Sequence, residues 1–348
     1  MAYDVAGRME PALVERVLPA ARAYQLSAPE IEQALELARL QALQRDPRGH
    51  APLLAPDLEA ACAALAGQKL GALASRVRVL ARWDDVVLPE AGRRVVDEML
   101  RFGRHREQVF QAQGYGERMS YGKGLTALFW GPPGTGKTMV SGLIARELGV
   151  ELYRVDLSQV LSKYIGETEQ RLAQIFDEAQ SGGVALLFDE ADALFAKRTE
   201  VKSSTDRYSN LEVNYLLQRV EGYEGAIILT TNALASIDDA FMRRIRFKAE
   251  FPRPQAHERA LLWGKMVPPE APQDPHIRFD ALGEVYDLSG GEIRNAVLRA
   301  AFYAAEEGRP LGLDHLDRAA QVEYREGGRL LGAQTAARWA AQRPRGAG

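Results

Sequence analysis

The segment that most constrains this chain is GPPGTGKT at 131–138, which lies directly after a short apolar run and directly before a helical pattern. It fits the pattern G-x-x-x-x-G-K-[ST]. In this pattern, glycines let backbone N–H groups curl around phosphate oxygens without clashes of Cβ atoms. The following helix directs its positive N-terminus at the anion. A glycine-rich turn with a purely structural role would not need a lysine and a threonine at its end, so the segment predicts a phosphate-binding loop.

Two side chains of this loop have specific predicted roles. Lys137 is expected to reach the β and γ phosphates of a nucleoside triphosphate, and the hydroxyl of Thr138 is expected to bind Mg²⁺. The predicted cofactors are therefore ATP and Mg²⁺. The residues of this segment that are expected to contact the nucleotide are Pro132, Pro133, Gly134, Thr135, Gly136, Lys137, Thr138 and Met139.

Four short apolar runs alternate with helical patterns in the middle of the chain, at 125–130, 152–157, 184–189 and 226–232. Strands that alternate with helices imply a parallel sheet that is covered on both faces. We predict an α/β fold, an αβα sandwich with a five-stranded parallel sheet, with helices before and after it. The predicted divisions are an all-α N-terminal segment (1–75), a nucleotide-binding core (76–254), an all-α lid (255–330) and a frayed tail (331–348).

Polar residues stand at the ends of two of these runs. Asp189 and Glu190 end the third run, and ligands bind at the carboxyl ends of strands in open α/β sheets. Asp189 is expected to position Mg²⁺, and Glu190 is expected to orient and polarise the attacking water. Asn232, at the end of the next run, could hold that water or contact the γ-phosphate. A solvated strand end or a turn would also explain these residues, but their order after the phosphate-binding loop favours the catalytic interpretation.

Composition excludes several classes of protein. The net charge of -3 gives no general attraction to nucleic acid or acidic lipid. The single cysteine, Cys62, excludes an internal disulfide framework, and the histidines show no metal-ligand spacing. The N-terminus has no apolar segment of a signal peptide, and no apolar run approaches the roughly 18 residues of a membrane span. We therefore expect a cytoplasmic protein without a membrane span.

An internal similarity links the two helical parts of the chain. The segment YQLSAPEI at 24–31 resembles YDLSGGEI at 286–293, and PDLEAA at 56–61 resembles DHLDRAA at 314–320. One explanation is chance similarity between amphipathic helices. The other is that the N-terminal helices are the lid of a preceding module of the same kind. The similarity fails at Glu32, which stands where the C-terminal copy has an arginine.

Over 83–325, the chain resembles the AAA clade of AAA+ ATPases. GPPGTGKT is the usual form of the Walker A motif of that family, and FDEADALF at 188–195 is similar to its Walker B motif. The implied fold is that of a P-loop NTPase. The resemblance also implies that Asp85 and Val86, in the segment WDDVV, frame the adenine, and that Asn232 is sensor 1.

Three arginines acquire predicted roles from this resemblance. Arg243 and Arg246 match the arginine fingers of the family, which reach the γ-phosphate bound by a neighbouring subunit. A solvated basic cluster is the alternative for both. Gly291 and Arg294 are similar to the sensor 2 pattern G-x-x-R of other AAA+ clades, whereas many members of the AAA clade lack this arginine. The resemblance therefore implies that Gly291 and Arg294 contact the nucleotide in cis.

Tyr164, Ile165 and Gly166 match the pore loop of the family, which has an aromatic residue, a hydrophobic residue and a glycine. In a hexameric ring, such loops would grip an extended peptide. The implied partners are therefore further copies of this chain and a protein substrate. A tyrosine packed against its own helix is the alternative. A nucleic-acid motor or loader would need more basic pore loops, and a nucleotide-gated scaffold would need no threaded substrate.

Two longer segments, 122–140 and 197–218, resemble the ATPases encoded with bacterial extracellular contractile injection systems, which are phage-tail-like particles. This narrower resemblance implies a role in assembling or handling such a particle. The functional prediction is an ATP-hydrolysing motor that forms a ring and remodels or threads a protein.

Overall fold

The computed structural model describes residues 28–45, 53–119, 122–160, 166–192 and 204–329. The chain separates into two compact units. Unit 1 consists of Met1–Val79, Val95–Phe129 and Ser141–Lys248, and unit 2 consists of Leu80–Arg94, Trp130–Val140 and Ala249–Gly348. The domain boundaries predicted from the sequence remain predictions.

Six strands form one sheet, in the order β1-β3-β4-β5-β2-β6. Their bounds are β1 Ala74–Arg76, β2 Leu125–Trp130, β3 Leu152–Val155, β4 Ala185–Phe188, β5 Ala226–Thr231 and β6 Phe247–Glu250. Strand β4 pairs in parallel with both β3 and β5, and β1 pairs antiparallel with β3. The predicted α/β class with a mainly parallel sheet is confirmed.

The predicted number of five strands is wrong, because the described residues form six. The four apolar runs of the sequence correspond to β2, β3, β4 and β5. Strand β1 has three residues, of which two are exposed, so no apolar run marks it. Strand β6 alternates buried and exposed residues and follows a cluster of arginines. Edge strands of this kind lack the continuous apolar pattern of strands that are buried on both faces.

Twelve α-helices lie within the described residues. Their bounds are α1 Ala28–Arg45, α2 Ala55–Leu70, α3 Glu90–Glu107, α4 Lys137–Glu147, α5 Leu157–Val160, α6 Glu167–Gly182, α7 Ser204–Gly222, α8 Asp239–Met242, α9 Ala256–Met266, α10 Phe279–Val285, α11 Gly290–Glu307 and α12 Leu313–Glu326. A π-helical turn, Gln108–Ala112, follows α3. None of the described helices is both long enough and apolar enough to cross a membrane.

Local sequence sets the ends of the helices beside the predicted site. Helix α6 begins after Gly166 and ends before Gly183, and both glycines have the positive φ that glycine adopts without strain. Helix α11 begins with a capping box. The Ser289 hydroxyl accepts a hydrogen bond from the backbone N–H of Glu292 at 3.4 Å, and the Glu292 carboxylate accepts one from the backbone N–H of Ser289 at 2.6 Å.

Each unit has a buried apolar core. In unit 1, every residue of β4 and β5 is buried, as expected for strands that are covered on both faces. In unit 2, the largest fully buried side chains are Trp263 and Tyr286. The hydroxyl of Tyr286 donates a hydrogen bond to the buried carboxylate of Asp317, so this pair of buried polar groups is satisfied.

The helix pairs α1–α2 and α11–α12 bury residues at equivalent positions. On α1, Ile31, Ala34, Leu35, Ala38 and Ala42 are buried, and so are their counterparts on α11, Ile293, Ala296, Val297, Ala300 and Ala304. On α2, Leu58, Ala61 and Cys62 are buried, and so are Leu316, Ala319 and Ala320 on α12. Residues at spacings of three and four share one helix face. The similarity seen in the sequence therefore extends to the packing of the two pairs.

Candidate nucleotide-binding site

The predicted phosphate-binding loop connects β2 to α4, and its glycines are required by backbone conformation. Gly131, Gly134 and Gly136 have φ values of 143°, 74° and 96°, a region that side chains disfavour. Space is also restricted. A Cβ atom on Gly131 would lie 2.0 Å from the carbonyl oxygen of Phe251, and one on Gly134 would lie 2.7 Å from Ser289 Oγ. Glycine is therefore needed at both positions for two independent reasons.

Lys137 is the first residue of α4 and is buried. Its Nζ donates to the carbonyl oxygens of Gly131 at 2.6 Å and Pro132 at 2.9 Å, so the loop itself holds the ammonium group. The Thr135 hydroxyl donates to the carbonyl oxygen of Pro132 at 2.9 Å, which tightens the same turn. A phosphate oxygen would be a charged and therefore stronger acceptor for the ammonium of Lys137.

The first turn of α11 contacts this loop within unit 2. The backbone N–H of Gly291 donates to the carbonyl oxygen of Gly134 at 2.9 Å. A Cβ atom on Gly291 would lie 3.2 Å from the Cα atom of Gly134, so the two backbones pack closely. The predicted residue Gly291 thus lies beside the loop. Arg294, three residues later, is exposed, and among the described residues it has no recorded hydrogen bond or ion pair.

The segment predicted to frame the adenine also belongs to unit 2. Asp85 ends a 3₁₀ turn, and its carboxylate accepts a hydrogen bond from the backbone N–H of Arg82 at 2.7 Å. Val86 is buried. The Nζ of Lys265, on α9, donates to the carbonyl oxygen of Asp84. The Asp85 carboxylate therefore stabilises the turn. Contact of this segment with an adenine ring would then be made by backbone groups and apolar side chains.

The carboxylate of Asp189 is held from the neighbouring strand in unit 1. Thr230, on β5, donates a side-chain hydrogen bond to Asp189 Oδ1. The next residue, Thr231, donates to Asp192 Oδ1 at 2.8 Å. Both threonines are buried. The sequence predicts only Asn232 as a site residue at this strand end, and the two threonines are identified by the structure alone. The signal that could have identified them is the parallel order of the runs, which places the ends of neighbouring strands side by side.

Glu190 is the only non-glycine residue with a positive φ in the part of the chain that the structure describes, with a φ of 55°. This conformation costs about 1–2 kcal/mol for a residue with a side chain. The residue is exposed, and Ala191, directly after it, donates its backbone N–H to the carbonyl oxygen of Thr230 at 2.8 Å. Thr230 therefore holds the residues on both sides of Glu190. Strained residues cluster at functional sites.

The arginines near β6 have three different environments, all within unit 1. Arg243 is exposed, and its side chain makes no hydrogen bond, ion pair or cation–π contact with the residues that the structure describes. Arg244 forms an ion pair with Glu221. Arg246 lies over the ring of Phe102 and donates Nη2–H to the carbonyl oxygen of Gly122 at 2.7 Å. The cluster is therefore not uniformly solvated.

The structure groups the predicted site residues by unit. The loop, Asp85, Val86, Gly291 and Arg294 lie in unit 2, while Asp189, Glu190, Asn232, Arg243 and Arg246 lie in unit 1. Asn232 follows β5 and is exposed. Gly166 precedes α6 with a φ of 84°. Tyr164 and Ile165, the other predicted pore-loop residues, lie outside the described residues.

A further cluster of ligand-type side chains, Glu307, Asp314 and His315, lies between α11 and α12. His315 Nδ1 accepts a hydrogen bond from the backbone N–H of Gly312 at 2.9 Å, and Nε2 lies 3.0 Å from Glu307 Oε2. Glu307 also pairs with Arg309 and Arg318. Both ring nitrogens of His315 therefore have a partner within the protein. The cluster is explained as a cap of α12, and its geometry requires no metal ion.

Comparison with known proteins identifies the middle of the chain. Residues 127–254 match the family described as "ATPase family associated with various cellular activities (AAA)". They are an AAA ATPase domain. This match contains the whole loop at 131–138. It also contains Asp189, Glu190, Asn232, Arg243 and Arg246. The match confirms the predicted resemblance to AAA ATPases. For this domain, it also confirms the predicted enzyme class of ATP hydrolase.

Three curated proteins are similar to this chain over about half of its length. The proteasome-activating nucleotidase of Sulfurisphaera tokodaii is 31% identical over 52% of this chain and 48% of its own length. The 26S proteasome regulatory subunit 6B homolog of Dictyostelium discoideum is 30% identical over 52% and 47%. The cell division cycle protein 48 homolog of Archaeoglobus fulgidus is 34% identical over 45% and 21%. The chain thus spans about half or less of the length of these relatives.

Proposed function

We propose that this chain is one subunit of a ring-forming, Mg²⁺-dependent ATPase that remodels or threads a protein. The observation that carries the proposal is the AAA domain with a loop that already holds Lys137 by two of its own carbonyls. Two of the relatives are named for the proteasome. Those names support a protein as the substrate.

The chemistry of the side chains suits a magnesium ion. Mg²⁺ prefers oxygen ligands and keeps several waters when it binds a nucleotide. Thr138 offers a hydroxyl, and Asp189 offers a carboxylate that Thr230 already orients. These two residues would hold the ion, which would neutralise charge on the β and γ phosphates. Lys137 would bind the same phosphates, and Asp85 and Val86 would frame the base.

Glu190 is the proposed general base. Its carboxylate is exposed, and its backbone is held by the bonds that Thr230 makes to the residues on either side. It would accept the proton of the attacking water, while Asn232 would hold that water in line. Gly291 and Arg294, at the start of α11, would contact the nucleotide in cis.

Assembly would complete the site. Arg243 and Arg246 would reach the γ-phosphate bound by the next subunit, and a guanidinium delivered in trans would neutralise charge that develops in the transition state. Hydrolysis would then depend on ring formation. We propose a homohexamer, with Tyr164, Ile165 and Gly166 as the loop that grips an extended peptide.

We also propose that the chain is a component of a contractile injection particle and acts in its assembly or handling. The support for this narrower proposal is the resemblance of 122–140 and 197–218 to the ATPases of such systems. It is tested by co-purification of a hydrolysis-deficient variant with defined tail, sheath and spike proteins of a particle. Retention of none of them would contradict it without affecting the ATPase proposal.

The central test is Glu190→Gln. This variant should bind ATP with unchanged affinity and hydrolyse it about 10²- to 10⁴-fold more slowly, because it lacks the base but keeps the shape of the side chain. Asp192→Asn is the matched control, since Asp192 is a neighbouring carboxylate that bonds Thr231. Hydrolysis at the wild-type rate by the Glu190 variant would refute the assignment.

Two further measurements separate the candidate functions. Unfolded protein should stimulate hydrolysis and DNA should not, and Tyr164→Ala should keep basal hydrolysis but lose the stimulation. Stimulation by DNA alone would support a nucleic-acid motor instead. The mass of the assembly with and without a slowly hydrolysed ATP analogue reports the ring, and nucleotide-dependent assembly without any stimulation would support a scaffold.

A further inference from the structure

The guanidinium of Arg246 has a defined position, although the residue is exposed. Its Cζ atom lies 4.6 Å from the centroid of the Phe102 ring. Its Nη2 donates to the carbonyl oxygen of Gly122 at 2.7 Å. Its backbone N–H donates to Thr126 Oγ1 at 3.3 Å. Both ends of the residue are therefore held within unit 1.

Phe102 is itself fixed by two aromatic neighbours. Its ring packs edge-to-face against Phe247, with centroids 5.7 Å apart, and against Phe110, with centroids 5.9 Å apart. Edge-to-face geometry is one of the two arrangements that aromatic pairs prefer. Phe247 is the residue directly after Arg246, and Phe110 lies in the π-helical turn after α3. The ring thus forms a rigid surface beneath the guanidinium.

We propose that Phe102 is a positioning residue for Arg246, which keeps the guanidinium ordered for its role in the neighbouring active site. This inference depends on the trans role given to Arg246 in the proposed function. A guanidinium that is already ordered loses less side-chain entropy when it binds a phosphate. The cation–π contact with Phe102 uses no N–H donor, and the planar array of N–H donors of the guanidinium suits bidentate bonds to phosphate oxygens.

The test compares Phe102→Leu with Phe110→Leu in the full chain. Phe102→Leu loses both aromatic pairs and the cation–π contact, whereas Phe110→Leu loses only one of those pairs and keeps the cation–π contact. That contact contributes a factor of about two to five at an exposed site. Phe102→Leu should therefore lower kcat by about that factor, with KM for ATP and the mass of the ring unchanged. Phe102→Tyr should restore kcat, and Phe110→Leu should have a smaller effect.

A double-mutant cycle makes the result decisive. In the Arg246→Ala background, Phe102→Leu should cause no further loss of kcat. A loss of equal size in both backgrounds, or equal loss in the Phe102 and Phe110 variants, would overturn the positioning role alone. If Arg246→Ala leaves kcat unchanged, the trans role in the proposed function fails. If the leucine variant unfolds, Phe102→Met provides the same comparison with a longer side chain.

A second, independent observation concerns the pairs α1–α2 and α11–α12. Besides their equivalent buried residues, both second helices begin with the same type of cap. The Asp57 carboxylate accepts from the backbone N–H of Leu54 at 2.8 Å, and His315 Nδ1 accepts from that of Gly312 at 2.9 Å. Asp57 and His315 are equivalent positions in the two pairs.

The two pairs differ at the positions that serve the nucleotide loop. Gly291 donates its N–H to Gly134, whereas its counterpart Pro29 has no N–H to donate. Arg294 is replaced by Glu32, which would repel a phosphate. We infer that α1–α2 is a repeat of the lid hairpin that has lost the groups needed for nucleotide contact and has only a structural role.

Matched double substitutions test this inference. Gly291→Pro with Arg294→Glu should weaken binding of a fluorescent ATP analogue by about tenfold or more, through loss of one hydrogen bond and a charge reversal. Pro29→Gly with Glu32→Arg should change the Kd less than about twofold. A comparable change of Kd in the second variant, at unchanged stability, would overturn the inference. An unchanged Kd in the first variant would instead contradict the role proposed for Gly291 and Arg294.

Discussion

Replacing Thr230 with valine removes one hydroxyl from the candidate site and preserves the shape of the side chain. This hydroxyl donates to Asp189, while the backbone carbonyl of the same residue accepts from Ala191. Only the first bond is lost in the variant. A hydrogen bond to a charged group contributes about 1.5–3 kcal/mol, and the lower value applies here because Asp189 is only half-buried.

The hydrogen bond that orients Asp189 contributes about 1.5 kcal/mol. If this contribution is lost in the transition state, kcat should fall about tenfold. Because Asp189 is the proposed Mg²⁺ ligand, the concentration of Mg²⁺ needed for half-maximal hydrolysis should rise as well. Both quantities are measured by steady-state hydrolysis at saturating ATP over a Mg²⁺ titration. The free energy of unfolding is measured in parallel by urea denaturation.

Thr231→Val is the matched control. Thr231 is the adjacent residue on the same strand, is equally buried at 1% exposure, and also donates to an aspartate. Both variants should lose about 1–2 kcal/mol of stability, but only Thr230→Val should shift the Mg²⁺ dependence. An equal fall in kcat for both variants, or no fall for Thr230→Val, would refute the argument that this hydroxyl orients Asp189.

Three further predictions follow from the structure. Gly134→Ala should weaken ATP binding and lower stability by about 1–2 kcal/mol, measured by calorimetry and denaturation, because alanine disfavours its φ of 74° and its Cβ would lie 2.7 Å from Ser289 Oγ. Glu190→Gly should be more stable than Glu190→Ala by about 1 kcal/mol, since only glycine relieves the positive φ, and neither should hydrolyse ATP; equal stabilities would contradict the strain. A hydrogen bond from His315 lowers the pKa of Glu307 below its ordinary value of 4.5. The ionised Glu307 therefore stabilises the fold above pH 4.5, and this stabilisation is lost as the pH falls through the lowered pKa. Glu307→Gln should therefore show a smaller decline in the free energy of unfolding below about pH 4.5, as measured by denaturation across a pH series.

The central strands could be predicted closely because each is a continuous apolar run. The run at 125–130 has the same bounds as β2, and the runs that became β4 and β5 were each within one residue of the observed strand at either end. Continuous burial leaves a signal that needs no knowledge of neighbours. The three residues of β1 carry no such signal, since two of them are exposed. Their pairing with β3 depends on a partner that is almost eighty residues away in the sequence.

The candidate site shows the same division between local and distant determinants. The glycines of the loop could be predicted because each is required by its own backbone conformation and by the phosphate chemistry. The contact of Gly291 with Gly134 and the bond of Thr230 to Asp189 could not, because both join segments that are distant in sequence. The arginine cluster was open to two interpretations for the same reason. Its three members differ only in neighbours, Glu221 and Phe102, that lie far from them in the chain.

The conformation of Glu190 follows from these distant contacts. A positive φ at this residue costs about 1–2 kcal/mol, so it persists only where the surroundings compensate for it. Thr230 supplies that compensation with its hydroxyl on one side of Glu190 and its carbonyl on the other. The two bonds together contribute about 2–4 kcal/mol, which exceeds the strain. The proposed base is therefore placed by β5 and not by its own segment, which is why a sequence pattern could identify Glu190 but could not predict how it is held.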